Sequence, residues 1–274
     1  MMHAASRQAL AELREQLEPV LARFSTADGL TGLAQELYAV VDILIQQPQL
    51  RRKLADPTTT SERRAGLVDG LFSGKVGTST LQLVKDAVSL RWSTAWDLLD
   101  ALEITGDDAL LTAAENAGRL DDVEDELFRF ERVLDSSSSL TTLLDDYSAD
   151  AGRRAELVGR LVGGKVNAVT EQLIAHAVTS QRKRSITHAI DDLLELAARR
   201  RNRSMARVVS AVPLTDRQED RLAARLSEIY GRQITVRVAV EPSIRGGLVV
   251  RVGDEIINGS VAARLLDARQ ALAG

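Results

Sequence analysis

Few residues in this 274-residue chain have the types and spacing that chemistry requires. The three histidines, His3, His176 and His188, show neither HxxxH spacing nor the carboxylate arrangement typical of zinc. Zero cysteines exclude a disulfide framework, a thiolate metal site and a cysteine nucleophile. Gly159 to Lys165 fits GxxxxGK, the start of a phosphate-binding loop. Val166, however, stands where Ser or Thr should hold magnesium, and the preceding residues read as helix rather than strand. A helix closing in a Gly-Gly turn is the better account. Asp121, Asp122, Glu124, Asp125 and Glu126 lack the alternating ligands and central Gly of a calcium loop, and read as an acidic helix start. No metal, cofactor or catalytic residue is expected.

Binding chemistry is no more explicit. Arg182-Lys183-Arg184 and the cluster Arg199 to Arg203 give residues 181–207 eight basic and three acidic side chains. Nucleic acid would take such a field, yet no aromatic residue is interleaved for base stacking, and Asp191, Asp192 and Glu195 interrupt it. The second cluster suits a helix C-terminus, where cations complement the macrodipole. A solvated face or an acidic protein partner fits better, and the net charge of −4 argues against a general nucleic-acid binder. Trp92 and Trp96, four apart, read as one helical face, for core packing or as an interface anchor.

The elements that would position these residues are mostly helices. Hydrophobic residues make up 45% and charged residues 27%, as in ordinary globular chains, while aromatics are only 3%. No apolar run approaches the roughly 18–20 residues that span a bilayer, and the amphipathic N-terminus carries no apolar signal core. Apolar positions three or four apart predict helices over about 6–25, with Pro19 bending or breaking the first, and over 29–47.

Shifted by 90 residues, the chain aligns with itself without a gap. Glu62 to Val76 (ERRAGLVDGLFSGKV) meets Gly152 to Val166 (GRRAELVGRLVGGKV), and between 36 and 88 there are 20 identical pairs out of 53. A helical domain is therefore duplicated. In the second copy, helices are expected over Leu110 to Asn116, Val123 to Leu134, Arg153 to Val162, Val169 to Thr179 and Ser185 to Arg200, with a loop at 135–139. His176 falls where the other copy has Asp86, so a surface role is expected for it. Helices this short need packing to persist.

From Met205 the pattern changes. Arg207 to Val212 reads as a strand stopped at Pro213. Thr215 and Gln218 form a capping box for a helix to Tyr230 with inner face Leu222, Leu226 and Ile229, ended by Gly231. Ile234, Val236, Val238 and Val240 alternate as a half-buried strand. Gly246-Gly247 marks a turn with positive φ, Leu248 to Val252 a strand, Gly253-Asp254 a two-residue hairpin, and Glu255 to Ile257 the return. Asn258-Gly259 closes it, and Ser260 caps a last helix to Leu272. The fold class is mainly α with a small α/β C-terminal domain: two tandem helical bundles followed by a β-α-β-β-β-α domain. The expected domains are 1–105, 106–204 and 205–274.

The C-terminal stretch resembles the signature of the ATP synthase delta subunit, or oligomycin-sensitivity-conferring protein, family. The matching residues are Glu241-Pro242-Ser243, Gly246-Gly247, Arg251-Val252-Gly253-Asp254 and Ile257-Asn258-Gly259-Ser260-Val261, followed by a basic amphipathic helix. The resemblance covers about residues 106–274, and Leu110 to Leu134 resembles the first two helices of the family's bundle. It implies a six-helix bundle followed by a small α/β domain, in a non-catalytic subunit with no cofactor. Such a subunit sits on the catalytic head of the F-type ATP synthase and ties it to the peripheral stalk.

The resemblance further implies that the bundle grips an α-subunit N-terminal helix with its first and fifth helices. Here those contribute Leu110, Leu111 and Ala114, and Leu173, Ile174, Ala177 and Val178. The same spacing also suits the bundle's own core. The C-terminal domain would grip the b subunit, with Val261, Leu265 and Leu266 as candidates. Pro242, Gly246, Gly247, Gly253, Asp254, Gly259 and Ser260 are expected to be structural. The implied place is the cytoplasmic face of the cell membrane, held there only through the complex, in one copy and without nucleic acid.

Residues 1–105 depart from the common pattern and resemble the added bundle of actinobacterial members. They are expected to pack along the b stalk or to offer a second groove. The competing reading is a helical-repeat adaptor for other protein or RNA partners, which has no reason to carry the C-terminal motif.

Overall fold

The computed structural model describes residues 3–180, 185–203, 205–230, 234–241, 246–252 and 255–259. Eleven helices precede the first strand among these: α1 (Ala4–Leu21), α2 (Ala27–Gln46), α3 (Pro48–Leu54), α4 (Ser61–Phe72), α5 (Thr78–Ser89), α6 (Ala95–Asn116), α7 (Leu120–Ser136), α8 (Ser138–Leu144), α9 (Ala151–Val162), α10 (Ala168–Thr179) and α11 (Ile186–Arg203). The 90-residue period carries through to the boundaries of three helices. Both ends of α3, α4 and α5 recur 90 positions later as the ends of α8, α9 and α10.

Identical residues do identical work in the two copies. The Glu36 carboxylate accepts from the Gly77 N–H at the start of α5 and from the Thr80 hydroxyl. Glu126 does the same for the Asn167 N–H and Thr170. These bonds satisfy donors that a helix start leaves without partners, and they tie the second helix of each copy to the fifth. Gly74 and Gly164, with φ of 74° and 66°, turn the chain after α4 and α9. The Lys165 ammonium donates to the Leu161 carbonyl at 2.9 Å, so the GxxxxGK run is a helix C-terminus with its lysine turned back on it.

Three sequence expectations need correction. First, the copies are not divided at 105/106, because α6 runs unbroken across that point. Its start is fixed by a reciprocal Thr94–Asp97 capping box and its end by Gly118 at φ 67°. By the 90-residue offset α6 is the first helix of the second copy, yet it also follows α5 as the sixth helix of the first. The copies share it, and Met1–Ala197 forms one compact unit. Second, Trp92 and Trp96 do not share a helix face. Trp92 precedes α6, is buried, and donates its indole N–H to the Ala87 carbonyl at 2.7 Å. Trp96 lies exposed in the first turn of α6 under the Arg51 guanidinium, 3.8 Å from the ring centre. Pro19 does not break α1, which continues to Leu21.

The second unit, Ala198–Gly274, holds β1 (Met205–Ser210), α12 (Asp216–Tyr230), β2 (Thr235–Val240), β3 (Leu248–Val252) and β4 (Glu255–Asn258) in the sheet order β2-β1-β3-β4. Among the described strands only β1 and β2 run parallel, and α12 makes the crossover that parallel pairing requires. Its start is held by Gln218, whose side-chain oxygen accepts from the Thr215 N–H at 2.9 Å. Ala206, Val208, Leu226, Ile234, Val250 and Val252 form the core.

Differences from expectation here are local. β1 starts two residues earlier and ends at Ser210. Ile229, assigned to the inner face of α12, is 68% exposed, and Val240 is exposed at the end of β2. Gly246 and Gly247 do take positive φ, 108° and 83°. The expected Gly231 helix stop, the Gly253-Asp254 turn and the Ser260 to Leu272 helix lie outside the described residues.

Candidate partner-binding site

The seven residues proposed to meet a partner helix lie on α6 and α10. Leu110, Leu111, Leu173 and Ile174 are fully buried, and Ala114 and Val178 nearly so. Only Ala177 keeps partial exposure, at the edge of the same core. The alternative reading of that spacing, the bundle's own core, is what the structure shows for the other six. The reason is packing within the bundle unit. α2 lies along α6 in the most extensive helix–helix contact among the described residues and meets the α6–α10 seam at Tyr38, while α10 also packs on α9 and α7.

The seam is polar at its centre. The Tyr38 hydroxyl, on α2, donates to Asp107 Oδ1 on α6 at 2.6 Å, while its ring stacks on the His176 imidazole of α10 at 3.5 Å and 9°. His176 Nε2 is 3.1 Å from Glu103 Oε1, which also accepts from the Ser180 hydroxyl at 2.9 Å. Tyr38 fits this close because α6 carries Gly106 beneath its ring: a Cβ there would sit 2.5 Å from Cε1. On the α1 side, Arg14 meets Asp108 at 3.7 Å and the Ser6 hydroxyl donates to Asp97 at 2.7 Å. His176, expected at the surface, is thus a mostly buried bridge between the copies, its side chain 13% exposed.

Sequence reading missed this cluster, although a signal existed. Offset by 90, Tyr38, Glu103, Gly106, Asp107 and His176 correspond to Phe128, Leu13, Gln16, Leu17 and Asp86. The seam sits where the copies differ, whereas the shared residues maintain each bundle. Phe128, the equivalent of Tyr38, is 50% exposed.

Burial raises Asp107 to about 7, with Glu103 adding to the rise and His176 opposing it. For His176, burial acts downward but is outweighed by the Glu103 hydrogen bond and the charges of Asp107, Glu103 and Asp42, so its affinity for a proton is raised. Burial raises Asp42 also. Both Asp107 and His176 hold a proton more tightly folded than unfolded, so their contribution to stability falls with rising pH. For Asp107 the loss runs from the ordinary carboxylate value of 3.8 to about 7; for His176 it lies above 6.5. D107N keeps an acceptor for Tyr38 without the charge. It is expected to be more stable than the parent at pH 8 by about 1–3 kcal/mol, and no more stable at pH 4. Urea melts at the two pH values measure this, and parallel curves would refute the assignment.

Of the motif residues, Gly246, Gly247 and Gly259 are described. The Gly259 N–H donates to the Leu248 carbonyl at 2.9 Å, closing the β3–β4 pair. Pro242, Gly253, Asp254, Ser260, Val261, Leu265 and Leu266 lie outside the described residues. Among the described residues no group of three or more His, Asp or Glu could hold a metal, and no helix is long and apolar enough to cross a membrane.

Comparison with known proteins matches residues 108–272 to the family described as ATP synthase delta (OSCP) subunit. An "ATP synthase subunit delta" of Streptomyces griseus is 46% identical over 273 residues, covering 100% of both chains. That of Streptomyces avermitilis is 46% identical over 271 residues, 99% of this chain and 98% of its own. That of Rhodococcus opacus is 43% identical over 274 residues, 99% of each. The added first copy is therefore present in these relatives along their whole length.

Proposed function

The chain belongs to the ATP synthase delta (OSCP) subunit family, and we propose from that membership how it works as a stator. It is a non-catalytic subunit of the F-type ATP synthase, a peripheral part of a membrane-bound complex. Rotation of the central shaft during proton-driven synthesis loads the catalytic head with torque, and a stator link keeps the head from turning with it. Such a link needs extended contact rather than chemistry, on the order of 1,500 Å² or more. The observation that carries the reading is full-length similarity to relatives that include the tandem copy.

In finer detail, the tandem-bundle unit holds an α-subunit N-terminal helix and the small α/β unit holds the b subunit at the cytoplasmic face of the membrane. Because the other six candidate residues are buried within the bundle unit, the α-subunit helix docks on its outer surface, with Ala177 at the edge of reach. The shared α6 makes that unit one rigid arm rather than two linked bundles, which suits transmission of load.

The test is a tagged purification from detergent-solubilised membranes with subunit identification and an ATP hydrolysis assay. Recovery of α, β and b subunits with ATPase activity is expected. Recovery of other proteins or RNA without ATPase would replace this reading with that of a helical-repeat adaptor.

A further inference from the structure

The sheet of the second unit has one face covered by α12 and one face bearing a row of arginines. Arg207 on β1 stands opposite Arg237 on β2 and opposite Arg251 on β3, so three guanidinium side chains occupy successive strands in one register. Ile256 on β4 continues the row beyond Arg251. All four side chains are exposed, and the row is flanked by partly buried Met205, Val209 and Val249 on the same face. Like charges directly opposite each other on a sheet destabilise it. No hydrogen bond or ion pair compensates the three arginines among the described residues. The row costs the fold stability, and its use must lie outside the fold.

We propose that this face is a docking surface for a helix of another subunit of the complex, one bearing a stripe of carboxylates. Charge and spacing point to that occupant. Residues 198–274 contain 14 arginines, no lysine and eight carboxylates, a net of +6 in a chain whose total is −4. Strands lie about 4.8 Å apart, so three successive positions span about 10 Å. Carboxylates at i, i+4 and i+7 of a helix span about 10.5 Å at 1.5 Å per residue. A helix laid across the strands therefore brings one carboxylate to each guanidinium, in the paired geometry that arginine favours, while the flanking apolar side chains meet its stem atoms. Nucleic acid fits less well. The second unit holds a single aromatic residue, Tyr230, which lies on α12 rather than on the sheet, so bases would find no stacking platform.

The proposal rests on the stator reading for the identity of the neighbours, and one experiment separates the two. Because residues 198–274 have no lysine, R207K places a single amine in that unit. The variant complex is purified from membranes, treated with a zero-length carbodiimide and analysed by mass spectrometry. The expected product joins R207K to a Glu or Asp in a helical segment of another chain, and R207Q/R237Q/R251Q releases from the complex at a salt concentration at least two-fold lower. The triple variant should melt no earlier than the parent, which separates lost attachment from lost folding.

Coupling only to carboxylates of this chain or a second copy of it, or no coupling, overturns the proposal. Release by nuclease or by lipid exchange, with no carboxylate product, does so too. Presence or absence of α and β subunits in the same preparation reports on the stator reading independently.

Discussion

Replacing Gly106 by alanine is expected to destabilise the tandem-bundle unit by about 2–4 kcal/mol, in the range of severe overpacking. Alanine ordinarily stabilises a helix interior by up to about 1 kcal/mol relative to glycine, so the sign here is set by packing alone. The added methyl would lie 2.5 Å from Tyr38 Cε1 and 3.1 Å from Cδ1 and Cζ. A free ring would swing away, but this one is held on two sides. Its hydroxyl is bonded to Asp107 and its face is stacked on His176. Moving it breaks both contacts and leaves Asp107, buried in the same seam, without its donor. α2 would have to lift from α6, exposing Leu110 and other seam residues.

Denaturant melts of G106A, Y38A and the double variant measure this. Y38A alone should cost about 3–5 kcal/mol as an aromatic truncation. In that background G106A should cost little or become favourable, a coupling of at least about 2 kcal/mol. Additive effects would mean that Tyr38 and Gly106 do not constrain each other.

Much of this architecture was legible in the sequence, for a physical reason. A duplicated domain keeps the residues that maintain each copy's internal geometry, and those are what an offset comparison finds: Glu36 and Glu126, Thr80 and Thr170, Gly74 and Gly164. The sheet was legible too, because alternation and paired glycines depend on local backbone rules. What could not be read was the relation between copies. Periodicity identifies an apolar stripe but not whether another chain or the same chain covers it. Leu110, Leu173 and Ile174 thus had two readings of equal standing from spacing alone, and only the packing of the folded unit decides between them. The shared helix was missed for a related reason: Gly106 is the one glycine between Thr94 and Gly118, a helix interior tolerates it, and the repeat boundary invited a break there.

His176 shows the limit more sharply. Its counterpart, Asp86, suggested the surface, because a position written with both His and Asp reads as solvated. Divergence between copies was the better clue. The seam residues differ together, Leu13, Gln16 and Leu17 in one copy against Glu103, Gly106 and Asp107 in the other, which sets a polar core under a tight helix. The exposed Phe128 marks the end of that logic, since no third copy follows to cover it.

Arg64 is where the second large effect is expected. It is buried on α4, and its guanidinium donates only to main-chain carbonyls among the described residues: Nε to Val88 at 2.6 Å, Nη1 to Asp56 at 2.9 Å and to Thr59, and Nη2 to Ser89 at 3.2 Å and Leu90 at 3.4 Å. Those carbonyls belong to the end of α5, the residues just after it, and the turn before α4. One side chain therefore closes two chain reversals whose acceptors would otherwise be buried without donors. R64A should cost about 3–5 kcal/mol, the range for removing one partner of a buried charged network. R64K should recover only part of it, because an ammonium cannot reproduce a fork directed at both reversals.

The second copy supplies the control. Arg154, at the equivalent position, is equally buried but donates to the Leu144 carbonyl at 3.3 Å and lies over the Tyr147 ring at 4.8 Å. Its Nε has no hydrogen-bond partner among the described residues. R154A should thus cost at least about 1 kcal/mol less than R64A, since fewer carbonyls lose a donor. Thermal melts of both variants decide the matter. Equal losses would mean that burial of the arginine stem, rather than its hydrogen bonds, holds these reversals closed.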